Sequence, residues 1–310
     1  MVTALVILNY NNWEDTINCI ESVEKYNTAP IKYVIVDNGS TREKCISSLD
    51  SWLHGKFSND YQCAVVGMES PLSLPKVTML VSDSNEGYAR GNNLGINYLR
   101  NDKEIENIMI LNNDVLFVED IVQKLVDALS TLPQCAIVSP ILYKRDQVEL
   151  DYNCARIHKE VWSVLCGNLY EKKESMKKYQ LLHLKPELQK EPYFAIDLPS
   201  GACMLMSKEV MNTLGGFDPH TFLYYEEDIL FCKINALGLK NYIITRAKCI
   251  HLGASSTKKR SGAFLVKTAF DSQKYFLENY CNLSFAQSIV LRSIAYYVRL
   301  KCYIFNLKSR

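Results

Sequence analysis

The sequence predicts an α/β fold with a mostly parallel central sheet, on three observations. Apolar runs recur at the length of buried strands, these runs end in polar or glycine-bearing turns, and stretches with helical spacing lie between them. ALVILNY runs into Asn11-Asn12, YVIVD into Asn38-Gly39-Ser40, VTMLVSD into Asn85-Glu86-Gly87, and NIMILNND leads to Val115. Helical patterns fall at residues 13–26, with Ile17, Ile20 and Val23 three apart, and at 91–100. In such sheets ligands bind beyond the carboxyl ends of the strands, where Asn9, Asp37, Asn85, Asn112 and Asp114 fall. A further helix is expected at 120–132, followed by the strand AIVSPILY. Residues 171–191 read as a mobile insertion or an acceptor-facing loop, and a buried strand resumes at DLPSGACMLMS.

Composition sets the scale. With 310 residues, 48% hydrophobic and 22% charged, the chain can bury a substantial core as one large domain or a domain with an appendage. Eleven cysteines are scattered without a C-x-x-C pair, which gives neither a zinc-ribbon spacing nor a disulfide framework and fits reduced thiols in the cytosol. VTALVILNY lacks the basic head, long apolar stretch and cleavage site of a signal peptide, and is expected to be the first strand. The net charge of +1 is uneven: residues 256–310 hold ten Lys or Arg against Asp271 and Glu278, about +8 in all. The tail is a basic annex.

FLYYEEDIL places Glu226, Glu227 and Asp228 between apolar residues. Leu230, Ile234 and Leu237 continue at helical spacing, with Gly238 as a C-cap, so the three acids sit on the first turn of a short helix. There the helix dipole favours them as ordinary first-turn charges. Successive helical residues point about 100° apart, so at most one or two face a ligand. Asp114, ending LNND, reads either as a turn residue or as a carboxylate for Mg or Mn, hard ions that leave positions open to phosphate oxygens. His251, in KCIHLGASS, is a structural histidine or a further metal ligand. Asp37 either accepts from a base or ribose or stabilises a turn with Gly39. SNEGYARGNNLG brings glycines, an arginine and amides into one loop before a helix, suiting diphosphate or ribose contacts. Its glycine spacing is not G-x-G-x-x-G, which disfavours a dinucleotide site.

Taken in order, VILNYNNWEDTINCIESV, VIVDNGS, NEGYARGNNLGI, IMILNNDV, SGACMLMSKEVMNTLGGFD, FLYYEED and HLGASS resemble glycosyltransferase family 2, the GT-A fold enzymes, and within it the rhamnosyltransferase-like members. The resemblance spans residue 5 to about 256. It implies a Rossmann-like GT-A domain over 1–255, with a nucleotide-binding half at about 1–118 and an acceptor-binding half at about 119–255, followed by a helical basic extension over 256–310. It also implies a nucleotide-sugar donor, a divalent metal (Mg or Mn) and inversion at the anomeric carbon.

Residue by residue, Asp37 matches the acid that holds the nucleotide base, with Asn9 and Asn38 nearby, and Asn85, Gly87, Arg90 and Asn92 match the second nucleotide-facing loop. Asn112, Asn113 and Asp114 occupy the DXD position, where only the last acid survives to carry the metal. His251 matches a histidine that completes the metal site in some members. Glu227 matches the general base. Many relatives continue ED-x-D-L, whereas here Ile229 stands at the later acidic position and an acid appears at Asp228, which is kept as the second candidate. A base and a cation on opposite sides of the anomeric carbon are what a poorly nucleophilic hydroxyl and a charged leaving group need.

The acceptor implied is a glycan or polyprenyl-linked glycan of bacterial surface polysaccharide synthesis. The location is cytoplasmic or peripheral at the inner face of the cell membrane. No nucleic-acid partner is expected, and an oligomer is left open. LSFAQSIVLRSIAYYVRLKCYIFNLK has the pattern of basic amphipathic helices that either lie on an anionic membrane or pack on the catalytic domain or a second subunit. Two other readings are weighed. A nucleotidylyltransferase needs a glycine-rich triphosphate loop after the first strand, which LNYNNWED does not offer, and a catalytically silent carbohydrate-binding or scaffold subunit has no need of the acids at Asp114 and Glu227.

Overall fold

The computed structural model describes residues 1–170, 190–253 and 262–308. The expected insertion at 171–191 lies almost wholly outside them, as does the end of HLGASS. The first half alternates: β1 (Val2–Asn9), α1 (Trp13–Tyr26), β2 (Ile31–Asp37), α2 (Cys45–Phe57), β3 (Tyr61–Val65), β4 (Val77–Val81), α3 (Gly87–Tyr98), β5 (Ile105–Asn112) and β6 (Val115–Phe117). Then follow α4 (Val122–Thr131), β7 (Cys135–Tyr143), β8 (Ala155–Arg156), α5 (Val161–Tyr170), β9 (Tyr193–Ile196), β10 (Leu198–Pro199), β11 (Cys203–Ser207), α6 (Lys208–Leu214), α7 (Glu226–Ala236), β12 (Lys240–His251), α8 (Gly262–Tyr280) and α9 (Phe285–Lys308).

One sheet runs through both expected halves, in the order β3-β4-β2-β1-β5-β11-β7-β12-β6, with β9 also on β12. The strands β3, β4, β2, β1 and β5 are parallel; β11 is antiparallel to β5 and to β7. The parallel register sets Asn9 beside Asp37 and Leu8 beside Asn112, so the polar turns after β1, β2 and β5 emerge along one edge. Pro140 sits inside β7. It has no N–H to offer, and β12 shifts register there, from Ile244 opposite Pro140 to Lys248 opposite Ile141.

Strand alternation divides the core into two layers. Leu5, Ile7, Tyr33 and Ile35 pack under α1, α2 and α4, while Ala4, Val6, Val34 and Val36 pack under α3, α6 and the inner side of α7. Helix α3 lies unusually close to β1: a Cβ on Gly91 would fall 2.7 Å from Leu8 Cδ1, and one on Gly95 2.7 Å from Val6 Cγ1. These two glycines therefore serve helix–sheet packing, and the expected loop through Gly91 is helical from Gly87 onward.

The basic tail is not a detached annex. Ile229 of α7 packs with Phe276 and Leu277 of α8, Leu291 of α9 and Val164 and Leu165 of α5. Ser272 Oγ donates to Leu223 O at 2.9 Å, and Tyr275 and Tyr280 both donate to Asp218. Helix α8 thus braces the segment that leads into α7.

Candidate active site

A polar network lines the sheet edge. Asp37 is fully buried: Oδ2 accepts from Asn9 Nδ2 and from Ser40 Oγ, each at 2.7 Å, and Oδ1 accepts from Ser40 N at 2.9 Å. Asn9 Oδ1 takes the Thr16 hydroxyl at 2.9 Å, and Thr16 Oγ1 takes Asn113 Nδ2 at 3.0 Å. The relay Asp37–Asn9–Thr16–Asn113 therefore joins the ends of β2, β1 and β5 and fixes the turn that carries Asp114. A base that bonds Asp37 must displace one of these partners.

Asn38 ties this edge to the next loop. Its amide donates to Asn85 Oδ1 (3.2 Å) and Gly87 O (3.0 Å), and its oxygen accepts from Glu86 N. Three other expected contact residues are engaged differently. Asn92 is buried and donates back to Tyr88 O, and Asn113 also donates to Asn12 O. Arg90 turns outward, its Nε on Pro219 O at 2.7 Å. None of these restraints is legible in the sequence, because each partner is set by the folded backbone.

The structure brings Asp114 and His251 together. β6 pairs with β12 so that His251 lies opposite Val115, and Asp114 Oδ1 is 3.5 Å from His251 Nε2. The other ring nitrogen, Nδ1, is 2.7 Å from Asp151 Oδ2. Burial works against a charged imidazole here, but the hydrogen bonds and field of Asp114 and Asp151 outweigh it and push His251 up to about 10. Burial likewise opposes the Asp151 anion, and His251 with the Asn153 N–H overcomes it, holding Asp151 below the usual range.

At the start of α7 the three acids have three environments. Glu226 is buried; burial, reinforced by Glu227, pushes it up to about 8, and Oε1 has no hydrogen-bond partner among the described residues. Asp228 is buried and raised by burial, against the pull of Arg156 and His158; its Oδ1 lies 3.9 Å from His158 Nδ1. Glu227 alone of the three is part-exposed. Its Oε1 accepts from Gly201 N at 3.0 Å, and its Oε2 faces Arg156 Nη2 at 3.3 Å. Two consecutive non-glycine residues precede the helix at positive φ, Tyr224 at 76° and Tyr225 at 69°, and the Tyr225 ring stacks on Phe276.

Two short paths join the acid turn to the Asp114 turn. Gly201 N bonds Glu227, and the next residue, Ala202, accepts from Asn112 N at 2.8 Å, two residues before Asp114. Five residues apart, Asp151 bonds His251 and Arg156 faces Glu227. Asp151, Arg156, Gly201 and the buried state of Glu226 all escaped sequence reasoning. ELDYNCAR carries no motif, and its partners lie 71 and 100 residues away.

The model for "Glycosyl transferase family 2" matches residues 4–215, most of the chain. The chain belongs to glycosyl transferase family 2. Among its relatives in that family, the low-salt glycan biosynthesis hexosyltransferase Agl10 of Haloferax volcanii is 24% identical over 74% of this chain and 60% of its own length. An N-acetylglucosaminyl-diphospho-decaprenol L-rhamnosyltransferase of Mycobacterium tuberculosis is 22% identical over 85% of this chain and 80% of its own.

Among solved structures, GalNAc-T7 with UDP, GalNAc and Mn2+ superposes with TM-score 0.63 at 15% identity, covering 90% of this chain and 48% of that one. The Pyrobaculum calidifontis mannosyltransferase PcManGT with GDP-Man and Mn2+ gives 0.53 at 15%, covering 97% and 70%. The chain thus spans 60% of the length of Agl10 and about half that of GalNAc-T7. The fold shared with these neighbours is GT-A.

The donor set at β5 and β12 fits a divalent cation of the Mn or Mg type: one carboxylate and one imidazole, with a carboxylate behind the imidazole. Among the described residues no group of three or more His, Cys, Asp or Glu is placed to hold a metal ion, so the protein offers two ligands at this point. A cation held by these two side chains would keep its remaining positions open to phosphate oxygens and water.

Proposed function

We propose that the chain is a metal-dependent inverting glycosyltransferase. It moves rhamnose or a hexose from a dTDP- or UDP-linked donor to a hydroxyl of a polyprenyl-linked glycan in surface-polysaccharide synthesis, at the inner face of a cell membrane. The observation that carries this reading is the double connection between the Glu227 carboxylate and the Asp114 turn, through Gly201-Ala202 and through residues 151–156.

Asp114 and His251 would hold a divalent cation, which when bound would supply positive charge beside the departing diphosphate. Glu227 takes the proton from the acceptor hydroxyl as that oxygen bonds the anomeric carbon, and the bond from that carbon to the phosphate breaks with inversion. The Gly201 N–H orients the carboxylate, and Arg156 supplies its counter-charge. Burial and the neighbouring Glu227 push Glu226 up to about 8, which favours its protonated form and lessens the negative charge beside the base. Asp228, buried and facing His158, is the weaker candidate for the base.

Acceptor class and location rest on the lipid-linked acceptor printed in the mycobacterial relative's name and on α9. No helix of the described residues is long and apolar enough to cross a membrane. Helix α9 carries no Asp or Glu, and its exposed residues include Phe285, Ile289, Arg292, Tyr296, Arg299 and Tyr303. Aromatic, aliphatic and Arg side chains in one stripe suit an anionic lipid surface.

The reading is tested by incubating the purified chain with Mn2+, a panel of dTDP- and UDP-sugars and a polyprenyl-diphosphate-linked acceptor. Transfer from one donor, abolished by chelation, is expected. Donor binding without transfer or hydrolysis under any condition would instead favour a silent binding subunit.

A further inference from the structure

We propose that Asp151 is the positioning residue of the cation site: its Oδ2 accepts a hydrogen bond from the Nδ1–H of His251 and so presents Nε2 of that ring to a cation at Asp114. The proposal rests on the assignment of Asp114 and His251 as ligands and adds the group that aims one of them. A metal-ligating histidine almost always donates its other ring N–H to a partner, and a carboxylate partner both fixes the tautomer and makes the ring a better donor.

The geometry meets each requirement. Asp151 Oδ2 lies 2.7 Å from His251 Nδ1, while Nε2 of the same ring faces Asp114 at 3.5 Å. Asp151 is buried, and it is itself held from three directions: its backbone N–H donates to Leu142 O at the end of β7, its carbonyl accepts from Cys154 N, and its Oδ1 accepts from Asn153 N at 3.0 Å. The turn that follows leads directly into β8, whose Arg156 faces Glu227. A ring on the last residue of β12 would otherwise turn about its own side-chain bonds; clamped at Nδ1, it has one nitrogen left for the site.

The test is Mn2+ binding, read by the loss of the free-ion paramagnetic resonance signal with no sugar donor present. Asp151→Asn keeps an acceptor oxygen but loses the charge, and Asp151→Ala loses both. Mn2+ affinity is expected to fall about tenfold in the first and about 100-fold in the second. In a His251→Ala background, adding Asp151→Asn should change the affinity by less than about twofold, since Asp151 acts only through the ring. Nitrogen-15 spectra of His251 in the Mn2+-free protein at high pH should show Nδ1–H alone in the wild type and a mixture of tautomers in Asp151→Asn.

Wild-type Mn2+ affinity in Asp151→Asn and Asp151→Ala, or an equal loss with and without His251, would overturn the proposal. Unchanged affinity in Asp114→Ala would instead overturn the ligand assignment beneath it.

Discussion

The turns beyond β1, β2 and β5 and the acidic start of α7 are both polar and both largely buried, yet they are built in opposite ways. Along the first, donors and acceptors pair within the chain: Asp37, Asn9, Thr16 and Asn113 form one relay, and Asn38 closes on Asn85 and Gly87. Along the second, Glu226 Oε1 and His158 Nδ1 have no hydrogen-bond partner among the described residues, two acids are raised by burial, and Tyr224 and Tyr225 stand at positive φ. The relay is a rigid floor that needs no ligand to be stable. The acid turn stores unfavourable electrostatics and backbone strain of about 1–3 kcal/mol per residue, held in place by α8 through Phe276 and Ser272. The floor also has a left-handed residue, Asn11 at φ 54°, but its side-chain oxygen accepts from Thr41 N and Arg42 N, so the two edges differ in buried charge more than in backbone strain.

That contrast can be broken at either end. Asp37→Ala should have the largest effect on the fold. It leaves the Asn9 amide and both Ser40 donors without their acceptor, so unfolding free energy is expected to drop by about 3 kcal/mol or more, read from the denaturant midpoint at unchanged slope. Gly201→Ala should cost some stability, because it crowds the Tyr88 hydroxyl that donates to Gly201 O, and strike turnover harder. A Cβ there would lie 2.6 Å from Tyr88 Oη and 3.0 Å from Glu227 Oε1, and displacing the carboxylate is expected to lower kcat about 100-fold.

Glu226 gives the pH test. Folding raises it from the ordinary 4.5 to about 8, so the folded state holds the proton more tightly. Its contribution is complete below about 4.5 and is lost as pH climbs through 8. The melting temperature of the wild type should therefore fall relative to Glu226→Gln between pH 6 and 9, and parallel profiles would show that Glu226 is not neutral in the fold. The smallest effect belongs to α9. Arg292→Glu with Arg299→Glu should weaken binding to vesicles containing phosphatidylglycerol by about 30-fold or more, at about 1 kcal/mol per removed cation. Sedimentation with neutral and anionic vesicles measures it.

Much of the fold was legible because it is written locally. The strands announce themselves as apolar runs, and α1 falls on Trp13–Tyr26 where Ile17, Ile20 and Val23 repeat. Helix α2 was missed, since CISSLDSWLHGKF mixes serines and a glycine into its apolar spacing. The amphipathic tail showed a helix but not that α8 would brace the segment before α7. Of the site, Asp114, His251 and Glu227 were legible as acids and a histidine at element ends. Asp151 and Arg156 were not: their meaning comes from β8 pairing with β10 and from contacts across the fold. The three acids of YYEED look alike in sequence, and only burial separates the raised Glu226 from the accessible Glu227.

The central claim is that Glu227 is the base in a cleft whose other end is the Asp114 cation site. The most direct measurement is single-turnover sugar transfer by Glu227→Gln, with Mn2+-dependent donor binding measured on the same protein. Donor binding within about twofold of the wild type and transfer slowed by a factor on the order of 10²–10⁴ are predicted. Transfer at the wild-type rate would contradict the account.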